Sequence, residues 1–276
     1  MSRFISTVKT AMWLDYQIAS NWTKPLTFFT YNIAKPVGAS LLLLAMYYVV
    51  TGKIVGSMAL SFIYIGNAFY MILGQVMMDL GWLVHEDREH YQTLKYIMIS
   101  PSSYYSYLIG RSAARFLLSI FPAIFLLLLG FIIHIPYNFN YPLLLFTILF
   151  GWIFMVSAGM LLNTITLLTA RYGGSIGETF AGIFYLLSGV IFPLSVLPSF
   201  LTKFALFLPS TYWFSLIRRS VLGMETDPVL SQLSLQSTLI LFAITTAYFI
   251  TLSLSFYFSM DYLARRRGAL EMITTY

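Results

Sequence analysis

The chain of 276 residues is 59% hydrophobic and 18% aromatic but only 9% charged, with a formal net charge of +6 and no cysteine. Soluble domains carry roughly 25% charged residues, so the composition excludes an ordinary soluble domain and indicates an integral membrane protein, all-α in its spanning part. The absence of cysteine excludes disulfides, thiolate metal sites and a cysteine nucleophile. The positive balance reflects the gathering of Lys and Arg on the cytoplasmic side of membrane proteins rather than nucleic-acid binding.

In residues 1–30, Phe4, Val8, Met12, Tyr16 and Ala19 recur at helical spacing, while Arg3, Lys9 and Asp15 break any continuous apolar run of a cleavable signal. This predicts an amphipathic helix lying in the headgroup layer. A spanning helix needs about 20 mostly apolar residues, and six are predicted at 33–50, 57–83, 108–133, 141–168, 179–192 and 235–263. Lys35 snorkels from the start of the first, and the fifth extends backwards towards Ile176. In the fourth, Gly151, Ser157, Ala158 and Gly159 permit close helix approach and suggest a subunit interface.

Residues 84–101, between the second and third predicted spans, form the one dense charge island. His85, Glu86, Asp87, Arg88, Glu89 and His90 follow one another there, and unpaired charges are costly in hydrocarbon, so the island faces water. Tyr91, Leu94, Ile97 and Met98 then fall on one helical face, which predicts a short helix built to dock. Twelve of the 16 Lys and Arg residues lie on the side of the N-terminus: Arg3, Lys9, Lys24, Lys35, Arg88, Lys95, Arg111, Arg115, Arg171 and Arg265, Arg266 and Arg267. Lys53, Lys203, Arg218 and Arg219 are on the other. This bias places the island and both termini in the cytoplasm.

Residues 193–227 are apolar enough to suggest a seventh span, but Pro193, Pro198 and Pro209 divide them into pieces too short to cross. An extracellular-side re-entrant hairpin, packed against protein, is predicted instead. His85 and His90 are five residues apart, about 140° from a shared helical face, so HEDREH lacks the i, i+4 histidines of a zinc hydrolase; no metal site and no catalytic residue is assigned. Asp79 and Asp261, near the predicted inner ends of spans, read as hydrated rather than as ion-pathway groups. The chain also lacks the G-x-x-x-x-G-K-[ST] loop that cradles nucleotide phosphates.

The tract at 188–223 resembles the membrane subunits of ATP-binding-cassette exporters of the type-2 permease family. The residues that carry the likeness are Ser188, Gly189, Phe192, Pro193, Leu197, Pro198, Pro209, Thr211, Tyr212, Arg218, Leu222 and Gly223. The charge island is similar to that family's coupling segment through Glu86, Arg88, Glu89, Thr93, Leu94, Ser100 and Pro101, with Ile97 in its hydrophobic run. The family often has Gly before the Thr and Glu after the Leu, where this chain has Gln92 and Lys95.

The resemblance covers nearly the whole chain, 1–276, as a single type-2 transmembrane domain. It implies a plasma-membrane permease that pairs with a second copy or paralogue among membrane lipids. ATP and Mg would be held by a separate ATPase, with no cofactor on this chain, and the exported cargo would be amphiphilic, drug-like or lipid-linked. A second, smaller ATPase contact is implied at 171–178. An intramembrane lipid-modifying enzyme and a non-transporting membrane scaffold are the alternatives. The first would require paired polar catalytic groups within the spans, which are poor in acids and histidines.

Overall fold

The computed structural model describes residues 2–21, 23–52, 58–168 and 173–266; Lys53, Arg171 and Arg267 of the charge count lie outside them. The described residues form ten α-helices and no strand. These are α1 (Ser2–Ser20), α2 (Pro25–Thr51), α3 (Met58–His85), α4 (Leu94–Ile99), α5 (Tyr104–Ile132), α6 (Tyr141–Leu168), α7 (Gly173–Leu187), α8 (Ser199–Ala205), α9 (Pro209–Leu222) and α10 (Leu235–Arg266). Five of them, α2, α3, α5, α6 and α10, are long and apolar enough to cross a membrane.

Proline and glycine set several boundaries. Pro25 occupies the first turn of α2, where its missing amide has no partner to lose. Gly52, with φ 67°, closes the same helix by donating its N–H to the Tyr48 carbonyl at 2.8 Å. The first span therefore starts eight residues before the expected Ile33, and the expected interfacial helix at 1–30 ends at Ser20. Lys35 consequently lies ten residues, about 15 Å, inside α2.

Helix α3 is the centre of the bundle: 78% of its span is buried, against 11% for α2 and 17% for α10. It packs on α5, α6 and α7 and is touched by α9. Tyr70 on α3 donates to the Ala181 carbonyl of α7 at 2.8 Å, and Asn67 to Ser40 of α2 at 2.8 Å. The small residues of α6 are used within the chain and do not form a bare subunit interface. Gly151 lies directly under the Trp213 ring of α9, and Gly159 under Leu80 of α3.

The expected fifth span at 179–192 is corrected. Its helix is α7, which ends at Leu187; Gly189 follows with φ 67°, a conformation that ends a helix. At 15 residues, α7 measures about 22 Å, short of a hydrocarbon core of about 30 Å. The chain then bends through α8 and α9, which meet at 79°. Helix α9 ends beside the α5–α6 connection, where Asn138 and Asn140 donate backbone N–H groups to Val221 and Ser220. All of α9 but Arg219 is buried against α6, α10 and α3, so the chain's own helices shield that half of the hairpin, whereas Phe200 and Phe204 of α8 and Phe207 after it are exposed. Helix α7 and the hairpin together thus carry the chain to the end where α10 begins.

Trp213 fixes that packing by donating its indole N–H to the Thr147 carbonyl at 2.8 Å over the glycine gap. Gly151→Leu should displace the ring and lower stability by about 1–3 kcal/mol. A reduced thermal midpoint of the purified protein in detergent is the expected reading; an unchanged midpoint would show that the gap is not needed.

Candidate functional site

One end of the bundle concentrates the charged side chains. Helix α3 runs into a π-helical turn, Glu86–His90, in which Tyr91 donates its N–H to the Glu86 carbonyl at 3.0 Å and Thr93 donates to Asp87 at 2.8 Å. The wide turn directs Glu86 and Asp87 towards α5. There Tyr107, Arg111 and Arg115 stand four residues apart on one face. Arg111 contacts Asp15 at 2.5 Å, Glu86 at 2.6 Å and Asp87 at 3.7 Å. Arg115 contacts Asp15 at 2.7 Å and Asp79 at 2.8 Å. Tyr107 donates to Asp87 at 2.9 Å and accepts from Arg111 at 2.9 Å.

Burial gives these contacts their weight. The Asp15 and Arg111 residues are wholly buried, and Asp87 is 2% exposed. A buried arginine remains charged and needs acids around it, and here α1, α3 and the π turn supply them to α5. Asp79 is therefore ion-paired rather than freely hydrated. Helix α1 lies along α5 with Val8 and Ala11 against Gly110, and any larger residue at 110 would strike them. Phe4 and Tyr16, expected on its apolar face, point outward with Ile5 and Trp13.

The charge island does not face water as a whole. Arg88 is 5% exposed and donates to the Leu167 carbonyl in the last described turn of α6 at 2.7 Å, where a cation also complements the helix dipole. Tyr104 donates to Asn163 at 3.0 Å, and Asn163 donates to the Leu80 carbonyl at 3.2 Å, which closes α6 onto α5 and α3. Glu86 is half-buried, and Glu89 is at the rim.

Helix α4 has two faces, and the expected docking face is the inner one except for Tyr91, which precedes the helix and is exposed. Leu94 and Met98 are buried in the protein's own core, and Ile97 packs on it. Lys95, Tyr96 and Ile99 project outward, with Tyr96 61% and Ile99 74% exposed. Thr93 precedes the helix, and Ser100 ends it by bonding back to the Ile97 carbonyl at 2.9 Å; Pro101 is exposed. Gln92 enters the helix with φ 53°, the left-handed conformation that favours glycine.

The hairpin residues gather at the opposite end. Ser188 and Ser210 share a hydrogen bond at 2.5 Å, joining the end of α7 to the start of α9. Arg218 donates to the carbonyls of Gly189 at 2.5 Å and Val190 at 3.2 Å, and its guanidinium lies 3.5 Å from the centre of the Phe62 ring. Tyr212 donates to the Leu206 carbonyl at 2.9 Å. Pro198 caps the start of α8 and Pro209 begins α9, Gly223 ends α9 with φ 76°, and Phe192 and Pro193 lie in the half-buried link before them.

The sequence model of the ABC-2 type transporter family matches residues 9–222, which include both the π turn with α4 and the hairpin through α9. The chain belongs to the ABC-2 type transporter family. No curated protein matches it. As an ABC-2 permease it is a membrane transport subunit without a nucleotide-binding site of its own. The second contact expected in this permease at 171–178 is placed only in part, since residues 171 and 172 lie outside those described; Glu178 is exposed near the start of α7.

The arginine cluster of this permease was not recognised in the sequence, where Arg111 and Arg115 counted only towards topology. The available signal was their place inside the predicted 108–133 span, where a cation requires a partner. Asp15→Ala leaves two buried guanidinium groups short of an acid and should destabilise the ABC-2 permease by about 3–5 kcal/mol; limited proteolysis should then release α1 before the rest of the chain. Gln92→Gly should raise the thermal midpoint and Gln92→Val lower it, because a β-branched residue is strained at positive φ. The reverse order would contradict the left-handed entry to α4.

Proposed function

We propose that this ABC-2 permease transmits the closure of a separate ATPase through α4, and that a pair of permeases moves an amphiphilic or lipid-linked molecule outward across the plasma membrane. The observation that carries this reading is the two-sided construction of α4. Its inner residues, Leu94 and Met98, are fixed in the core, and the turn before it is held by Glu86, Asp87 and Arg88. Its outer residues Lys95, Tyr96 and Ile99 remain open. A helix held on one side and open on the other can receive a push and pass it into α3 and α5.

The previously expected coupling residues take distinct parts in this proposal. Glu86 and Arg88 tie the segment to the bundle, Glu89 marks its charged rim, and Leu94 and Ile97 seat the helix. Thr93, Ser100 and Pro101 bound it. The contact with the ATPase falls to Lys95, Tyr96 and Ile99. ATP and Mg belong to the partner, and both ends of the chain are cytoplasmic.

Copurification with the ATPase subunit tests the reading. Tyr96→Asp with Ile99→Asp should abolish copurification and ATPase stimulation while leaving the thermal midpoint near that of the unaltered permease. Leu94→Ala should instead lower the midpoint, by about 2–5 kcal/mol of stability. Retained ATPase binding in the double variant would reject the docking face. Because the chain has no cysteine, single cysteines replacing Tyr96 and Lys203 report orientation: an impermeant thiol reagent added outside intact cells should label only the second.

A further inference from the structure

A cavity of about 500 Å³ opens between the end of α1, the first half of α2, the middle of α3, and α5. Most of its wall is apolar, including Phe28, Met71, Met78 and Leu118, and it lies along α2, the least buried of the long helices. Three polar features converge on it. Lys35 lines the wall about 15 Å inside α2, and among the described residues no ion pair involves it. Glu86 and Arg115 also line the wall, but their charges are met by Arg111 at 2.6 Å and by Asp15 and Asp79 at 2.7 and 2.8 Å. The cavity therefore offers one uncompensated cation.

The second and third features come from prolines. Pro36 in α2 and Pro122 in α5 both line this cavity. A proline inside a helix removes the amide that would pair with the carbonyl four residues earlier, here those of Asn32 and Leu118. Both residues are in the same wall. In hydrocarbon such carbonyls must find other donors. An apolar cleft with one ammonium group, beside two proline kinks that take the helical amides from the Asn32 and Leu118 carbonyls, suits an amphiphile whose head carries both an anion and hydroxyl groups.

We propose that this cavity binds an anionic, hydroxyl-bearing phospholipid, with its phosphate on Lys35 and its head-group hydroxyls donating to the Asn32 and Leu118 carbonyls. The acyl chains leave along the exposed flank of α2. A zwitterionic choline head is a poor fit, since it has no hydroxyl to donate and brings a second cation towards Lys35. The proposal deepens the transport reading and rests on it for any role as cargo, but binding is measured on the permease alone. A failed lipid assay and a failed ATPase copurification are thus separate results.

The full-length chain is to be purified with phosphatidylglycerol or phosphatidylcholine of identical acyl chains, and retained lipid counted by native mass spectrometry. Preferential retention of phosphatidylglycerol is expected, reduced about tenfold by Lys35→Gln, kept by Lys35→Arg and unaffected by Lys203→Gln in the hairpin. In the unaltered protein, phosphatidylglycerol should slow acylation of Lys35 by an amine reagent, while phosphatidylcholine and inorganic phosphate should not. Equal retention of the two lipids, or Lys35→Gln retaining the preference, would overturn the proposal. So would protection by inorganic phosphate equal to that by phosphatidylglycerol, which would indicate a free-anion site.

Discussion

The sharing of Asp15 by Arg111 and Arg115 is the constraint on which the charged end of this permease depends. Two guanidinium groups on one face of a helix cannot be buried without acids, and the four that surround them come from three other places in the chain. Asp15 is on α1, Asp79 on α3, and Glu86 and Asp87 in the π turn. The result is one charged knot joining the start of the chain to the segment before α4. Removing any one acid redistributes charge among all the rest, so these contacts act as a unit rather than as separate bridges.

The two ends of the bundle are built by different chemistry and connected by one helix. At the charged end ion pairs dominate. At the hairpin end a single described ion pair, Arg219 with Glu225 at 3.2 Å, stands beside Arg218 held by carbonyls and the Phe62 ring and the neutral hydrogen bonds of Trp213, Ser188 and Ser210. Helix α3 reaches both: Phe62 meets Arg218, and 17 residues later Asp79 meets Arg115. That interval is about 25 Å of continuous helix, mostly buried, and a buried helix moves as a body because its neighbours are close-packed. Displacement of α4 would reach the hairpin through this helix without any flexible link. The physical warrant for that route is packing, and two discrete arrangements are needed before it counts as coupling.

Hydropathy made the long helices legible because a span imposes a length on a run of apolar residues. It did not locate α2's start, because Asn32 and Lys35 interrupt the run and Pro25 both permits a helix and suggests a break. It overextended the fifth span, because Ile191 and Phe192 are apolar although Gly189 has already ended the helix. The periodicity of Leu94, Ile97 and Met98 identified an apolar face but not what covers it. The outward pair, Tyr96 and Ile99, was invisible for the same reason. The ion cluster escaped because its partners are separated by up to about one hundred residues, and no local period links Asp15 to Arg115. The glycine of the family pattern has a structural reason: the backbone at Gln92 takes a φ that glycine adopts freely.

The cavity and the coupling turn meet at two side chains. Glu86 and Arg115 line the cavity, yet Glu86 also pairs with Arg111 in the turn that leads to α4, and Arg115 pairs with Asp15 and Asp79. An anion brought to Lys35 shares a wall with both groups, and in a poorly screened space it would repel the carboxylate and attract the guanidinium. Both forces bear on the same knot that holds the π turn. A ligand alters a conformational balance only by the difference in its affinity for the two states, and a charged head in this cavity would supply such a difference if the knot had two arrangements. By reciprocity, a partner that displaced α4 would then change the affinity of the cavity by the same factor.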